Sequence, residues 1–206
     1  MHKEVLSQEQ ADLLPYVKEF SRDFYLVGGT AIALHLGHRQ SIDFDLFTHE
    51  DFDPAEIERR LRKAGYAKIE RVFVKNEREY TILIKGVKMT FFSYPYFIPA
   101  DLWFEKIARL PDLLTLAAMK AYALGQRAKW KDYADLYFIM KDRHSLGEIS
   151  KRSNELFGNE FNERIFRESL GYFNDINYDE KVIFMPGFEV GDEEIEKKLL
   201  ELSVTE

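Results

Sequence analysis

The chain has 206 residues, 46% hydrophobic, 32% charged and 15% aromatic, with no cysteine. Such a length supports one large domain or a domain with a helical extension, and the missing cysteines exclude disulfide scaffolds, thiolate zinc sites, cysteine nucleophiles and iron–sulfur clusters. A total of 29 Lys and Arg against 36 Asp and Glu leaves a formal net charge of −7, which argues against long duplex nucleic acid as a bulk partner, because phosphate neutralisation dominates that affinity.

Ser7-Gln8-Glu9-Gln10 is a capping-box pattern, and Leu13, Leu14, Val17 and Phe20 follow at helical spacing. Residues 24–27 read as a buried strand ending at Gly28-Gly29, and a short helix over 30–36 stops at Gly37. Residues 41–47 alternate strictly, with Ile42, Phe44 and Leu46 on one face and Asp43 and Asp45 on the other. Asp53 and Pro54 open a helix over 54–64 as N-cap and first residue, and Gly65 closes it. Strands follow near 68–75 and 80–84, and a third runs over 87–92 after a tight turn at Lys85-Gly86. After Pro99 the pattern predicts helices alone, over 101–109, 112–127, 131–141, 145–157, 162–172 and 193–202. These elements divide the chain into an α/β module over 1–98 and a helical module over 99–206, as two domains or one continuous core. No secretory leader is visible after Met-His-Lys-Glu. The longest apolar run, Leu113 to Met119, is far shorter than the roughly 18 residues of a membrane span, so the expectation is a cytoplasmic protein without membrane contact.

Chemistry concentrates in Val27-Gly28-Gly29-Thr30 and Asp43-Phe44-Asp45. Residues i and i+2 of a strand share a face, so the two carboxylates point the same way. At ~5 Å and an effective dielectric of ~20 they repel by ~3 kcal/mol. Water, a basic side chain or a divalent cation must offset that. Mg²⁺ (or Mn²⁺) suits, because it accepts one or two carboxylates and completes its shell with water and substrate phosphate. The glycine pair lets the chain turn sharply and lets a ligand approach main-chain N–H groups. The helix that follows adds its N-terminal partial positive charge, and Thr30 adds a hydroxyl. Each half has a plain structural reading, a turn for the glycines and a solvated face for the aspartates. Together, in this order, they describe a site for a nucleotide with its metal.

Val27-Gly28-Gly29, thirteen residues, then Asp43-Phe44-Asp45-Leu46 resembles the hG[GS]-x(9–13)-Dh[DE]h signature of the DNA polymerase β-like nucleotidyltransferases. The longer string from Gly28 to Phe47, GGTAIALHLGHRQSIDFDLF, resembles more specifically the AbiEii/AbiGii toxin family. A second block agrees: Met119-Lys120 through Ala123 to Arg127, then Lys131-Asp132 and Asp135-Leu136, is similar to that family's K-x-x-A-x-x-x-R and R-x-x-x-K-D-x-x-D-L motifs. The likeness spans residues 20–175. It implies an α/β (α+β) fold, a nucleotidyltransferase-type mixed sheet with flanking helices followed by a mostly helical C-terminal part. It also implies transfer of NMP from an NTP to a hydroxyl on protein, RNA or a small molecule, and a partner antitoxin. Asp43 and Asp45 are then the catalytic, metal-holding pair. Gly28, Gly29 and Thr30, with Arg39 and Ser41 from the family's H-R-x-S segment, meet phosphate. Lys120, Arg127, Lys131, Asp132 and Asp135 complete nucleotide binding.

The second block has its own physical logic. Lys120, Ala123 and Arg127 fall three and four apart on a helix, as do Lys131, Asp132 and Asp135 in pairs, so the basic groups can share a face toward the sheet. The plain alternative is a salt-bridge network within the helices. Trp130, Tyr133 and Tyr137 read as core, His38 as an exposed loop residue, and His2, His35, His49 and His144 show no metal-ligand spacing. One departure stands out: the superfamily's third carboxylate maps to Thr90 on the strand 87–92, and a threonine is neither a base at neutral pH nor a charged ligand. Another group such as Asp132 substitutes, or metal and geometry suffice, or the chain binds nucleotide without transferring it.

Overall fold

The computed structural model describes residues 1–65 and 68–205. Its centre is a seven-stranded sheet: β1 (Tyr25–Val27), β2 (Asp43–Thr48), β3 (Arg71–Lys75), β4 (Glu79–Ile84), β5 (Val87–Ser93), β6 (Leu102–Phe104) and β7 (Ala108–Leu110). The strand order is β3-β4-β5-β2-β1-β7-β6. The pairs β2–β5 and β1–β7 are parallel and the other neighbours antiparallel, which makes the sheet mixed. The helices are α1 (Gln8–Glu19), α2 (Gly28–Leu36), α3 (Pro54–Lys63), α4 (Leu113–Leu124), α5 (Trp130–Asp142), α6 (Leu146–Phe157), α7 (Glu163–Leu170) and α8 (Asp192–Val204).

Local chemistry sets several of these boundaries. Ser7 and Gln10 form the expected capping box on α1. The Asp53 side chain accepts from Ala55 N at 2.8 Å with Pro54 at the first position of α3. The period-2 pattern of β2 sends Phe44 and Leu46 into the core, where they are 0% and 2% exposed. Ile42, expected to join them, is exposed, because the strand begins one residue later at Asp43. On the core face, Phe20 of α1 meets Phe91 of β5 edge-on with centroids 4.8 Å apart, and the Tyr80 hydroxyl of β4 donates to Glu58 of α3 at 2.8 Å. That leaves the opposite face of β2, β5 and β4, bearing Asp43, Asp45, Thr90 and Thr81, to line a cavity.

Two expectations fail. The helix proposed over 101–109 is instead the hairpin β6–β7, whose Ile107 N donates to Phe104 O at 2.7 Å across the turn. Helix α2 also starts at Gly28, not Thr30, so the glycines form its first turn. Through β7 the sheet crosses residue 98, since Tyr25 of β1 pairs with Arg109. Trp130, Tyr133 and Tyr137 are core residues as expected, at 4%, 1% and 1% exposure. Among the described residues no helix is long and apolar enough to cross a membrane.

Candidate active site

A cavity of about 700 Å³ lies between the polar face of the sheet and helices α2, α4 and α5. Asp43 and Asp45 enter it from β2, and the parallel register sets Lys88 of β5 beside Asp43 and Thr90 beside Asp45. Lys88 Nζ is 3.1 Å from Asp43 Oδ2, and Lys131 Nζ approaches the same oxygen at 3.9 Å. Burial, and then the Asp43 carboxylate beside it, push the Asp45 carboxyl above its ordinary pKa against the pull of Lys131, Lys120 and Lys88.

The glycines are needed for reasons closer to home than a ligand. Gly28 has φ of +70°, and a Cβ there would overlap Asp45 Oδ2; a Cβ on Gly29 would overlap the Arg39 guanidinium. The pair therefore lets the start of α2 sit directly against the acid strand. Gly28 and Gly29, in the first turn of α2, then stand at the cavity wall.

Behind that wall lies a buried ionic cluster. Arg39 grips Asp135 with a two-pronged fork, Nε to Oδ1 at 2.7 Å and Nη2 to Oδ2 at 2.9 Å. His38 Nε2 donates to Asp135 Oδ1 at 2.9 Å, and Lys120 Nζ lies 3.0 Å from Asp135 Oδ2 while also donating to Asp132. Asp132 and Asp135 are both wholly buried. Burial opposes the Asp135 charge, yet Arg39, Lys120 and His38 hold its carboxyl well below the usual range. Burial likewise lowers the pKa of His38 against the pull of Asp135, and the residue is 0% exposed where the sequence predicts an exposed loop residue.

The expected site residues thus divide in two. Gly28, Gly29, Asp43, Asp45, Thr90, Lys120, Arg127 and Lys131 line the cavity. Thr30, Arg39, Ser41, Asp132 and Asp135 stand behind it. Thr30 and Ser41 share a hydroxyl contact of 2.9 Å, and Thr30 also donates to the Asp43 carbonyl, which Gln10 approaches at 3.2 Å. These groups fix the start of β2 and keep their hydroxyls from the cavity. Asp132, offered as a substitute for the third carboxylate, points at Lys120 and Arg127 from inside the protein.

The structure adds residues that the sequence reading did not single out. Lys88 was available to a pattern argument, being two residues from Thr90 on the same strand face. Glu79 of β4 is the one carboxylate besides the aspartate pair among the cavity residues; its Oε1 accepts from Thr81 at 2.9 Å. Lys129 lines the cavity too, and Glu180 binds both Lys129 and Lys131. No local pattern announces Glu180, because its partners lie 51 and 49 positions away.

Known proteins resemble the chain along most of its length. The family model for the nucleotidyl transferase AbiEii toxin of type IV toxin–antitoxin systems matches residues 16–184. An uncharacterized Aquifex aeolicus protein, aq_aa25, is 33% identical over 205 residues, covering 95% of this chain and 97% of the relative. Two solved structures share the fold: the nucleotidyltransferase toxin MenT4 of Mycobacterium tuberculosis, with TM-score 0.59, 12% identity and coverage of 94% of this chain and 81% of that one; and JHP933 of Helicobacter pylori, with TM-score 0.55, 17% identity and coverage of 97% and 90%. With the glycine turn, the aspartate pair and the Lys120–Asp135 block assembled around one cavity, the chain belongs to the AbiEii nucleotidyltransferase toxin family.

Proposed function

We propose that the protein is a metal-dependent nucleotidyltransferase that moves NMP from an NTP to a hydroxyl acceptor. The observation that carries this is the pair Asp43 and Asp45 facing one cavity with Lys88, Lys120, Arg127 and Lys131 and the first turn of α2. The donor set fits Mg²⁺ or Mn²⁺. Two carboxylates on one strand face, one with its pKa raised by burial and then by the other, are stabilised by a shared cation. Mg²⁺ is commonly held by one or two carboxylates with water and substrate phosphate, and Asp43 and Asp45 would supply those carboxylates here. Asp43 and Asp45 would hold the metal, which would supply positive charge to offset the charge that develops on the phosphate oxygens.

The chain's own groups do the rest. The first-turn N–H groups of α2 and the ammonium of Lys131 bind and orient the phosphates. Lys120 gives one N–H to Asp132 and one toward Asp135, leaving the third for the cavity. The acceptor oxygen bonds to the α-phosphorus in line with the departing pyrophosphate, which takes the electron pair of the broken P–O bond. The hydroxyl proton leaves through the open cavity, where Glu79 is the remaining carboxylate. Thr90, in register with Asp45, takes no proton, and this favours a second reading in which the pocket binds nucleotide without transferring it. Family membership supports a partner antitoxin.

Calorimetric titration of ATP, GTP, CTP and UTP, with and without Mg²⁺, tests the site. The native protein should bind a nucleotide only with metal, and the Asp43→Asn/Asp45→Asn variant should lose that binding. No binding to the native protein at millimolar nucleotide would overturn the assignment. Binding without pyrophosphate release in an acceptor screen would favour the second reading.

A further inference from the structure

The segment between α7 and α8 runs past Lys129 and Lys131, two residues of the cavity wall, and is tied down at two places. In the first, Asn177 N donates to Ala128 O at 2.9 Å and Trp130 N donates to Asn177 O at 3.1 Å, with Tyr178 against Trp130 at 5.2 Å between centroids. In the second, Gln40 N donates to Ile183 O at 2.9 Å and Met185 N to His38 O at 3.0 Å, with Phe184 against Phe138 at 5.8 Å. The strap thus joins the loop before α5 to the loop before β2.

Glu180 sits between the two anchors and contributes to neither. Its Oε1 accepts from Lys129 Nζ at 3.1 Å and its Oε2 accepts from Lys131 Nζ. Both lysines line the cavity, and Lys131 also faces Asp43. The Glu180 side chain is 39% exposed, so solvent and a solute can reach it. A carboxylate shared by two ammonium groups beside the metal-type acids fills the space a phosphate oxygen would take. A phosphoryl group brings more charge and more acceptor oxygens to the same donors.

Resting on the nucleotidyltransferase reading above, we propose that Lys129 and Lys131 form the subsite for the terminal phosphate of the triphosphate, and that Glu180 is an internal stand-in which the arriving phosphate displaces. Burial works against the Glu180 charge, yet the two lysines hold its carboxyl down to about 2, so the stand-in is anionic throughout the neutral range. The backbone bonds and ring contacts hold the two ends of the strap when the carboxylate leaves, and the stretch between them, residues 179–182, is released. The site is therefore partly self-blocked at rest, and a triphosphate opens it by competition for the lysines.

Inorganic tripolyphosphate, titrated calorimetrically in the presence of Mg²⁺, isolates the subsite from base and acceptor. Glu180→Gln should bind it about tenfold more tightly than the native protein, and adding Lys129→Met should return the affinity to the native value or below. Equal or weaker binding by Glu180→Gln, with both proteins still binding tripolyphosphate, would overturn the stand-in and leave the nucleotidyltransferase reading intact. No binding of tripolyphosphate or any NTP by either protein would overturn both. A second measurement needs no variant. Lys181 is exposed on the strap, and saturation of the native protein with tripolyphosphate should speed tryptic cleavage after it several-fold; an unchanged rate would overturn displacement.

Discussion

Lys120 stands at the point where the buried ionic cluster meets the cavity. Its side chain is 8% exposed, and Asp132 and Asp135 raise its pKa although burial works against the charge. Removing either aspartate would leave a cation without its counter-charge in a dry site, a larger loss than an exposed pair would show. Asp45 carries strain of the opposite kind. Burial and Asp43 raise its pKa, so the folded carboxyl keeps its proton to higher pH than the unfolded one. The native state consequently loses stability as pH rises through that raised pKa, and the whole cost is present above it. Asp45→Asn should therefore raise the thermal midpoint at pH 7, by a few degrees for a relief of about 1 kcal/mol, while Mg²⁺-dependent nucleotide binding disappears. The gain should shrink as the pH of the melt is lowered toward the ordinary carboxylate range, because the native carboxyl takes up its proton before the unfolded one does. A lower midpoint at pH 7 would contradict the repulsion.

At the level of elements, the two hairpins show what a sequence announces and what it conceals. The turn at Lys85-Gly86 has φ of 50° and 73°, and its glycine marks it. The turn of β6–β7 makes the same demand, with φ of 46° at Glu105 and 57° at Lys106, but neither residue advertises a left-handed conformation. Both favour helices, and so 101–109 reads as one. The tertiary sheet overrides that propensity: β7 docks beside β1, and Leu110 and Phe104 are buried at 0% and 1% exposure. Glu105→Asn/Lys106→Gly should then stabilise the protein, by about 1 kcal/mol in urea unfolding, by relieving two unfavourable φ angles. The exposed contact of Glu105 with Lys3 contributes little to set against it. The acid strand was readable because its period-2 pattern is local. The pairing of Arg39 with Asp135 was not, because the partners are 96 positions apart and the charges alone do not name each other. The family motif brought both residues to the site, and the structure puts them behind its wall.

Across the whole molecule, the boundary suggested at residue 98 cuts through the sheet. β7 flanks β1, α4 and α5 pack against α2, and the buried apolar residues form one cluster from Val5 to Leu199. A fragment of residues 1–98 would leave β1 with an open edge and expose the apolar side of α2. We expect it to show no cooperative thermal transition, whereas the full chain unfolds in one; a cooperative transition in the fragment would mark residues 1–98 as an independent unit.

The same long-range closure governs when the protein can first act. Asp43 and Asp45 emerge from the ribosome early and Lys88 of β5 follows, but Lys120 and Lys131 come from α4 and α5, and the carboxylate that covers Lys129 and Lys131 comes later still. A nascent chain therefore carries an incomplete cavity for most of its synthesis. Its basic wall is complete only once the start of α5 is made, and Glu180, which binds that wall, follows 49 positions after Lys131. A truncated product ending before α4 would hold the acids with Lys88 but without Lys120, Arg127, Lys129 and Lys131, so premature termination yields a protein lacking the assembled site.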